Sequence, residues 1–236
     1  MKKFISIAIL ALITISLVSA AETAPVEPKV TSASEKRVYD DWTILQIVFF
    51  PKAPSASWNS NVYGIKTGWP ISCGIGRVFG LEASWLYSGT SIIKGLQACW
   101  ICCKANALDG IQASLIACIN VDGMFNGLQA SLYSQTDDLN GAQGGLVSIA
   151  GDVNGLQAGL AFCLADEVNG FQASAVSIAR GKLNGIQCNL YGQVADSSGI
   201  QFGVVNVSGG KGIQFGAINI MKDAWIPVFP ILNFAF

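Results

Sequence analysis

The chain has 236 residues, 12% of them charged, a formal net charge of −1 and no histidine. Ordinary soluble domains carry about 25% charge; here no basic cluster is available to neutralise phosphates, which excludes nucleic acid as a partner. The missing histidine removes Ser-His, Cys-His and His-metal chemistry together.

Residues 1–20 begin with Lys2-Lys3, continue as an apolar run from Phe4 to Val18 and end in Ser19-Ala20. These three parts predict a signal peptide cleaved before Ala21, since the apolar run is shorter than the roughly 20 residues that span a bilayer. Its removal would leave 12 basic and 15 acidic residues, a charge of −3. Residues 21–37 hold Pro25, Pro28 and several acidic and hydroxyl side chains, a composition expected for a disordered linker. Within 38–61, the β-branched and aromatic run Trp42–Phe50, stopped by Pro51 and Pro54, predicts a strand that caps or partners the first repeat.

From 62 to 223 one phrase returns: Gly, large apolar, Gln, small, small, large apolar, as in Gly155-Leu156-Gln157-Ala158-Gly159-Leu160. Gln97, Gln112, Gln129, Gln143, Gln157, Gln172, Gln187, Gln201 and Gln214 each stand two residues after a glycine. Lys66 and Glu82 take that place in the first two copies, which reads as an edge coil. The glycines recur every 13–17 residues, and a period that short marks a repeat architecture. Apolar and small or polar residues roughly alternate after each glycine, while charge collects between units. That is the periodicity of strands and turns rather than helices, so the repeat domain is predicted to be all-β.

Two all-β architectures fit. In a β-solenoid of about eleven repeats of 13–17 residues, equivalent positions stack in parallel, and the Gln residues form a structural ladder along the outside or a corner. One such hydrogen bond is worth about 1 kcal/mol net. In the alternative, each repeat is one strand of an antiparallel meander closed into a roughly 12-stranded outer-membrane barrel. The solenoid explains why Gln recurs at one phase, because antiparallel strands would place it alternately at top and bottom. The barrel draws on the apolar composition and on 224–236, a C-terminal cap or terminal strand in which Leu232, Phe234 and Phe236 alternate; Pro227 and Pro230 oppose it.

The phrases Gly199-Ile-Gln-Phe-Gly-Val-Val-Asn206 and Gly212-Ile-Gln-Phe-Gly-Ala-Ile-Asn219, followed by Trp225-Ile-Pro-Val-Phe-Pro-Ile-Leu-Asn-Phe234, resemble a family of bacterial surface-repeat proteins of poorly characterised function. The resemblance runs from Tyr63 to Phe236. It implies export to the outer membrane or cell surface of a Gram-negative-type bacterium, or secretion, and it carries over no catalytic residue.

Neither catalytic, cofactor-binding nor metal-binding residues are expected. Asp137-Asp138 and Asp166-Glu167 read as solvated turn carboxylates, since a glycosidase pair needs an apolar pocket to raise one pKa. The turns lack the Gly-Gly-x-Gly-x-Asp repeat of calcium-binding β-rolls. Of seven cysteines, Cys73, Cys99, Cys102, Cys103, Cys118, Cys163 and Cys188, only Cys99-Trp-Ile-Cys102 has metal or redox spacing, and no second pair completes a zinc site. Small buried residues are the expected role of all seven. A parallel solenoid would set Cys103 and Cys118 at equivalent places in adjacent coils, about 4.8 Å apart. The functional expectation is a non-enzymatic envelope or surface repeat protein with a structural or binding role, the alternative being an outer-membrane pore or receptor. Its partner is unspecified, and membrane association and self-association are both open.

Overall fold

The computed structural model describes residues 42–51, 57–120 and 123–235. The predicted signal peptide at 1–20 and linker at 21–37 lie outside the described residues. The described residues form one compact unit and contain thirteen strands and no α-helix.

The strands wind a β-solenoid of about 12 turns. β1 (Trp42–Val48), β2 (Asn61–Gly68), β3 (Ile71–Ser84) and β4 (Tyr87–Cys99) stack in parallel order. β5 (Cys102–Ala105) and β6 (Ala107–Ser114) both continue from β4, and β7 (Ala117–Asn120) and β8 (Met124–Ala130) follow them. β9 (Tyr133–Ala165) and β10 (Glu167–Ser197) run through their corners over several coils before β11 (Ile200–Gly210) and β12 (Gly212–Met221). Only β13 (Val228–Ala235) is antiparallel, laid across the end of β12. Parallel pairing throughout the repeats rules out the meander and its barrel, and β13 is a cap strand rather than a closing one.

Register follows the repeat glycines: Gly64 pairs with Gly80, Gly80 with Gly95, and the match continues up the stack. Gly155 shows why the position is fixed. Its φ is 140°, and an added Cβ would press on the carbonyl oxygen of Gly141 in the coil below. Only glycine adopts such a backbone without strain. The predicted edge coil is not the end of the stack, because β1 adds a turn ahead of it, with Gln46 in register with Lys66.

Each coil has two walls. The first runs from about two residues before the glycine to three after it; the second returns after a corner at the fourth to sixth residues. The space between is thin enough for one side chain to cross it. Gln157 Nε2 donates to the Leu164 carbonyl of the facing wall at 3.0 Å, and Gln129 and Gln143 repeat the contact on Gln135 and Ile149 at 3.3 and 3.2 Å. From the second wall, Ser134, Ser148 and Cys163 donate to carbonyls of Gly144, Ala158 and Ala173 in the next coil at 3.2, 3.0 and 3.4 Å.

The Gln column is therefore inside, fully buried, and not on the outer surface or a corner as the sequence suggests. Nε2 of each Gln from Gln112 to Gln214 donates to Oε1 of the preceding one at 2.7–3.2 Å. Stacking makes burial tolerable, because each amide from Gln112 to Gln201 finds both a donor and an acceptor of its own kind, while Gln97 donates to Glu82 and the last oxygen, Gln214 Oε1, is left without a partner.

Candidate functional site

Two features carry the chemical individuality of the molecule: the buried polar network at the head of the Gln column, and the arrangement of its outer surface.

At the head of the column Gln97 Nε2 donates to Glu82 Oε2 at 3.0 Å. Ser72 and Thr90 donate to Glu82 Oε1 at 2.6 and 2.7 Å, and Lys66 Nζ lies 4.0 Å away. Lys66 also donates to Thr90 Oγ1 at 2.8 Å and to the Cys73 carbonyl at 3.1 Å. The Gln amides all point Nε2 toward this end, so a carboxylate meets the positive end of an aligned row of dipoles, as acidic residues do at helix N-termini. Burial raises the Glu82 carboxyl above its ordinary range against the opposing pull of Lys66. Burial likewise lowers Lys66, against the pull of Glu82. Lys66 is 1% exposed and Glu82 is closed off entirely. The pair is closed to solvent and stands where the run of Gln-to-Gln hydrogen bonds ends.

Outside, the side chain five residues after each glycine projects from the corner between the walls. Trp69, Trp85, Trp100, Leu115, Leu132 and Leu146 form a continuous row, with backbone bonds running from Trp85 to Leu146. Trp69 and Trp85 stack with ring centroids 4.8 Å apart. Leu160, Leu190 and Val204 extend the row, and its exposure reaches 79% at Leu160. The first wall beside it presents Ile111, Leu128, Leu156 and Ile186 outward. The second presents Phe162, Leu164, Val176 and Ile178, half-exposed.

The other corner is its opposite. Asp109, Asp137, Asp138, Asp152, Asp166, Glu167, Arg180, Lys182 and Asp196 are all exposed between coils. Among the described residues, Lys104 is the one charged side chain that lies neither in this corner nor in the core. Ion pairs link adjacent coils, Lys94 with Asp109 and Arg180 with Asp166, each at 3.6 Å; exposed pairs of this kind add little stability. An Asn row borders the corner, Asn184 Nδ2 donating to Asn169 at 3.0 Å and Asn140 to Asn126 at 3.2 Å.

The interior is inverted between the two corners. Behind the charged corner lies the apolar column Val62, Val78, Ile93, Leu108, Phe125, Leu139, Val153, Val168 and Leu183. Behind the apolar corner lie the Gln column and the Ser/Cys column, with Ser88, Cys103, Cys118 and Ser134 in register. One side of the cross-section is built as a water-soluble protein is, and the other side has polar groups in and apolar groups out.

All nine sequence-predicted Gln residues meet in one column, and Cys103 and Cys118 are register partners as a parallel solenoid requires. Cys102 falls in a different row, beside Tyr87 and Ala117. Among the described residues no group of three or more His, Cys, Asp or Glu could hold a metal ion. Sequence reasoning missed the exposed Trp/Leu row, although its signal was present as a bulky apolar residue five after nearly every glycine. Comparison with known protein families, curated proteins and solved structures finds no match.

Proposed function

We propose that this is a non-enzymatic repeat protein of a bacterial cell envelope that lies on a lipid surface, its apolar corner sunk among acyl chains and its charged corner in water. The observation that carries the reading is the half-inverted cross-section, with an exposed Trp/Leu row along one corner and charge gathered at the other.

A solenoid suits such a surface. Its backbone hydrogen bonds run between coils, so the walls present no unpaired main-chain groups to hydrocarbon. From Trp69 to Val204 the row crosses ten coils, and steps of roughly 4.8 Å make the apolar corner roughly 43 Å long. The apolar surface wraps a convex corner and continues onto both walls. Fluid acyl chains can follow that shape, whereas a second copy packing by one flat face leaves the corner or one wall uncovered. The depth resembles that of interfacial amphipathic elements, about 5–10 Å. The signal-peptide pattern of residues 1–20 and the resemblance to surface-repeat proteins support an envelope location.

The test is flotation of the purified protein with neutral phosphatidylcholine vesicles, read together with tryptophan quenching by lipids brominated on the acyl chain. Co-flotation with quenched emission is the expected result. A protein that stays at the bottom of the gradient unquenched, as monomer or as dimer, would overturn the reading.

A further inference from the structure

The corner that carries the Trp/Leu row brings two side chains together at its inner side: the residue four after the glycine, and the second-wall residue that faces it three or four positions later. Ser84 and Ser88 meet there with hydroxyls 2.7 Å apart, Ser131 and Ser134 at 2.9 Å, and Ser174 and Ser177 at 2.8 Å. In the coil after Gly110 the pair is mixed, and Cys118 Sγ donates to Ser114 Oγ at 3.4 Å. In the coil after Gly95 both members are cysteine, and Cys99 Sγ lies 2.7 Å from Cys103 Sγ.

We propose that Cys99 and Cys103 are a disulfide-forming pair, a covalent version of the Ser–Ser contact that the same corner makes in other coils. The fold supplies the juxtaposition whether or not the residues are sulfur, which is why the pairing does not depend on the functional reading above. Two unbonded sulfurs do not rest this close, and a disulfide bond of about 2.05 Å is reached by a shift of under about 1 Å. Cys99 is the reachable member at 8% exposure, while Cys103 is closed off. Cys99 therefore attacks an external disulfide, R–S–S–R, giving a mixed disulfide and releasing R–SH. Cys103 then displaces the second thiol. The Sγ–Sγ bond forms, both S–H bonds are lost, and the two electrons and two protons leave on two R–SH.

Two rival pairings exist. Cys102 neighbours both residues in sequence, but its register with Tyr87 and Ala117 puts it in the row next to that of Cys103, which is in register with Ser88 and Cys118. Cys118 is in Cys103's own row, one coil on, and its thiol interacts with that of Cys103 as well as with Ser114 and the Ala130 carbonyl at 3.6 Å; the 2.7 Å approach of Cys99 is what favours the pairing within the coil.

The experiment treats the folded full chain with oxidised glutathione, then labels thiols with N-ethylmaleimide under denaturing conditions and counts labels by intact mass. Five of the seven cysteines should label in the oxidised protein and all seven after reduction. Cys99→Ser should label at all six remaining cysteines, whereas Cys103→Ser should label at five, with one glutathione held on Cys99 as the stalled mixed disulfide; both variants restore the residue type found at these places in other coils. Cys102→Ser should still lose two. Seven labels or glutathione adducts without bridging in the oxidised wild-type protein, or a two-thiol loss that survives Cys99→Ser, would overturn the pairing; the last would reassign it to Cys103–Cys118.

Discussion

Glu82 and Lys66 occupy places in a column that otherwise consists of amides, and the contrast sets the energetics of both. A Gln in this column exchanges one hydrogen bond with each neighbour and carries no charge to desolvate. The ion pair has the same shape but pays for two buried charges, and such pairs are often no better than neutral replacements. Glu82→Gln alone would keep the ladder and leave the Lys66 ammonium without its counter-charge. The expected loss is about 3–5 kcal/mol, the usual consequence of breaking a buried pair, measured by chemical denaturation. Lys66→Gln with Glu82→Gln extends the ladder by two rungs and should return stability to the wild-type level or above it. The pH dependence follows from the two shifts. Glu82 is raised above its ordinary 4.5, so the folded chain holds a proton that the unfolded chain has released, and stability falls as pH rises from 4.5 through the folded value. Lys66 is lowered below 10.5, so the unfolded chain holds the extra proton, and stability climbs as pH approaches 10.5. The difference between wild type and the double variant should therefore pass through a minimum between these limits; a flat difference would show that neither shift is present.

At the scale of one coil, the glycine phase, the parallel register and the alignment of the nine Gln residues were all legible in the sequence, because each repeats with the chain's own period. Which side the Gln faces was not. Alternation in Gly127-Leu-Gln-Ala-Ser-Leu132 normally sends Leu inward, and one repeat viewed alone gives a buried amide no partner. Only the stack supplies one, through Gln112 Oε1 below at 2.9 Å and Gln143 Nε2 above at 2.7 Å. Gln46 was hidden for a different reason: no glycine stands two residues before it, and 20 positions separate it from its register partner Lys66. The buried Ser and Cys residues follow the same rule, since Cys163 donates to a carbonyl as Ser134 and Ser148 do. Two glycine substitutions separate the required position from the permissive one. Gly155→Ala places a side chain at φ 140° against the Gly141 carbonyl and should cost about 1–3 kcal/mol. Gly144→Ala meets nothing within 4 Å and stands where Ala98, Ala113 and Ala158 stand in other coils; it should be neutral or gain about 0.4–1 kcal/mol. Equal effects on the denaturation midpoint would contradict the stacked-glycine account.

Across the whole molecule, each corner has behind it the kind of interior that its surroundings would otherwise supply. The charged corner is backed by Val, Ile, Leu and Phe, and the Trp/Leu corner by a hydrogen-bonded network of amides, hydroxyls and thiols. This makes the two corners separable by substitution. Leu160 and Leu190 are highly exposed, so replacing either removes little packing from the fold. Transfer of one such side chain from water to hydrocarbon is worth about 2 kcal/mol, or about thirtyfold in partition. Leu160→Lys should lower partition onto neutral vesicles by at least that factor, and Leu160→Lys with Leu190→Lys should abolish flotation, with the denaturation midpoint nearly unchanged. Asp166→Asn, in the opposite corner, should leave partition as it was. Because the apolar corner acts without charge, partition onto neutral lipid should also hold between 0.1 and 1 M salt, where the Debye length falls from about 10 to 3 Å. Binding that is lost with salt, or weakened equally by Asp166→Asn and Leu160→Lys, would assign the interaction to the charged corner instead.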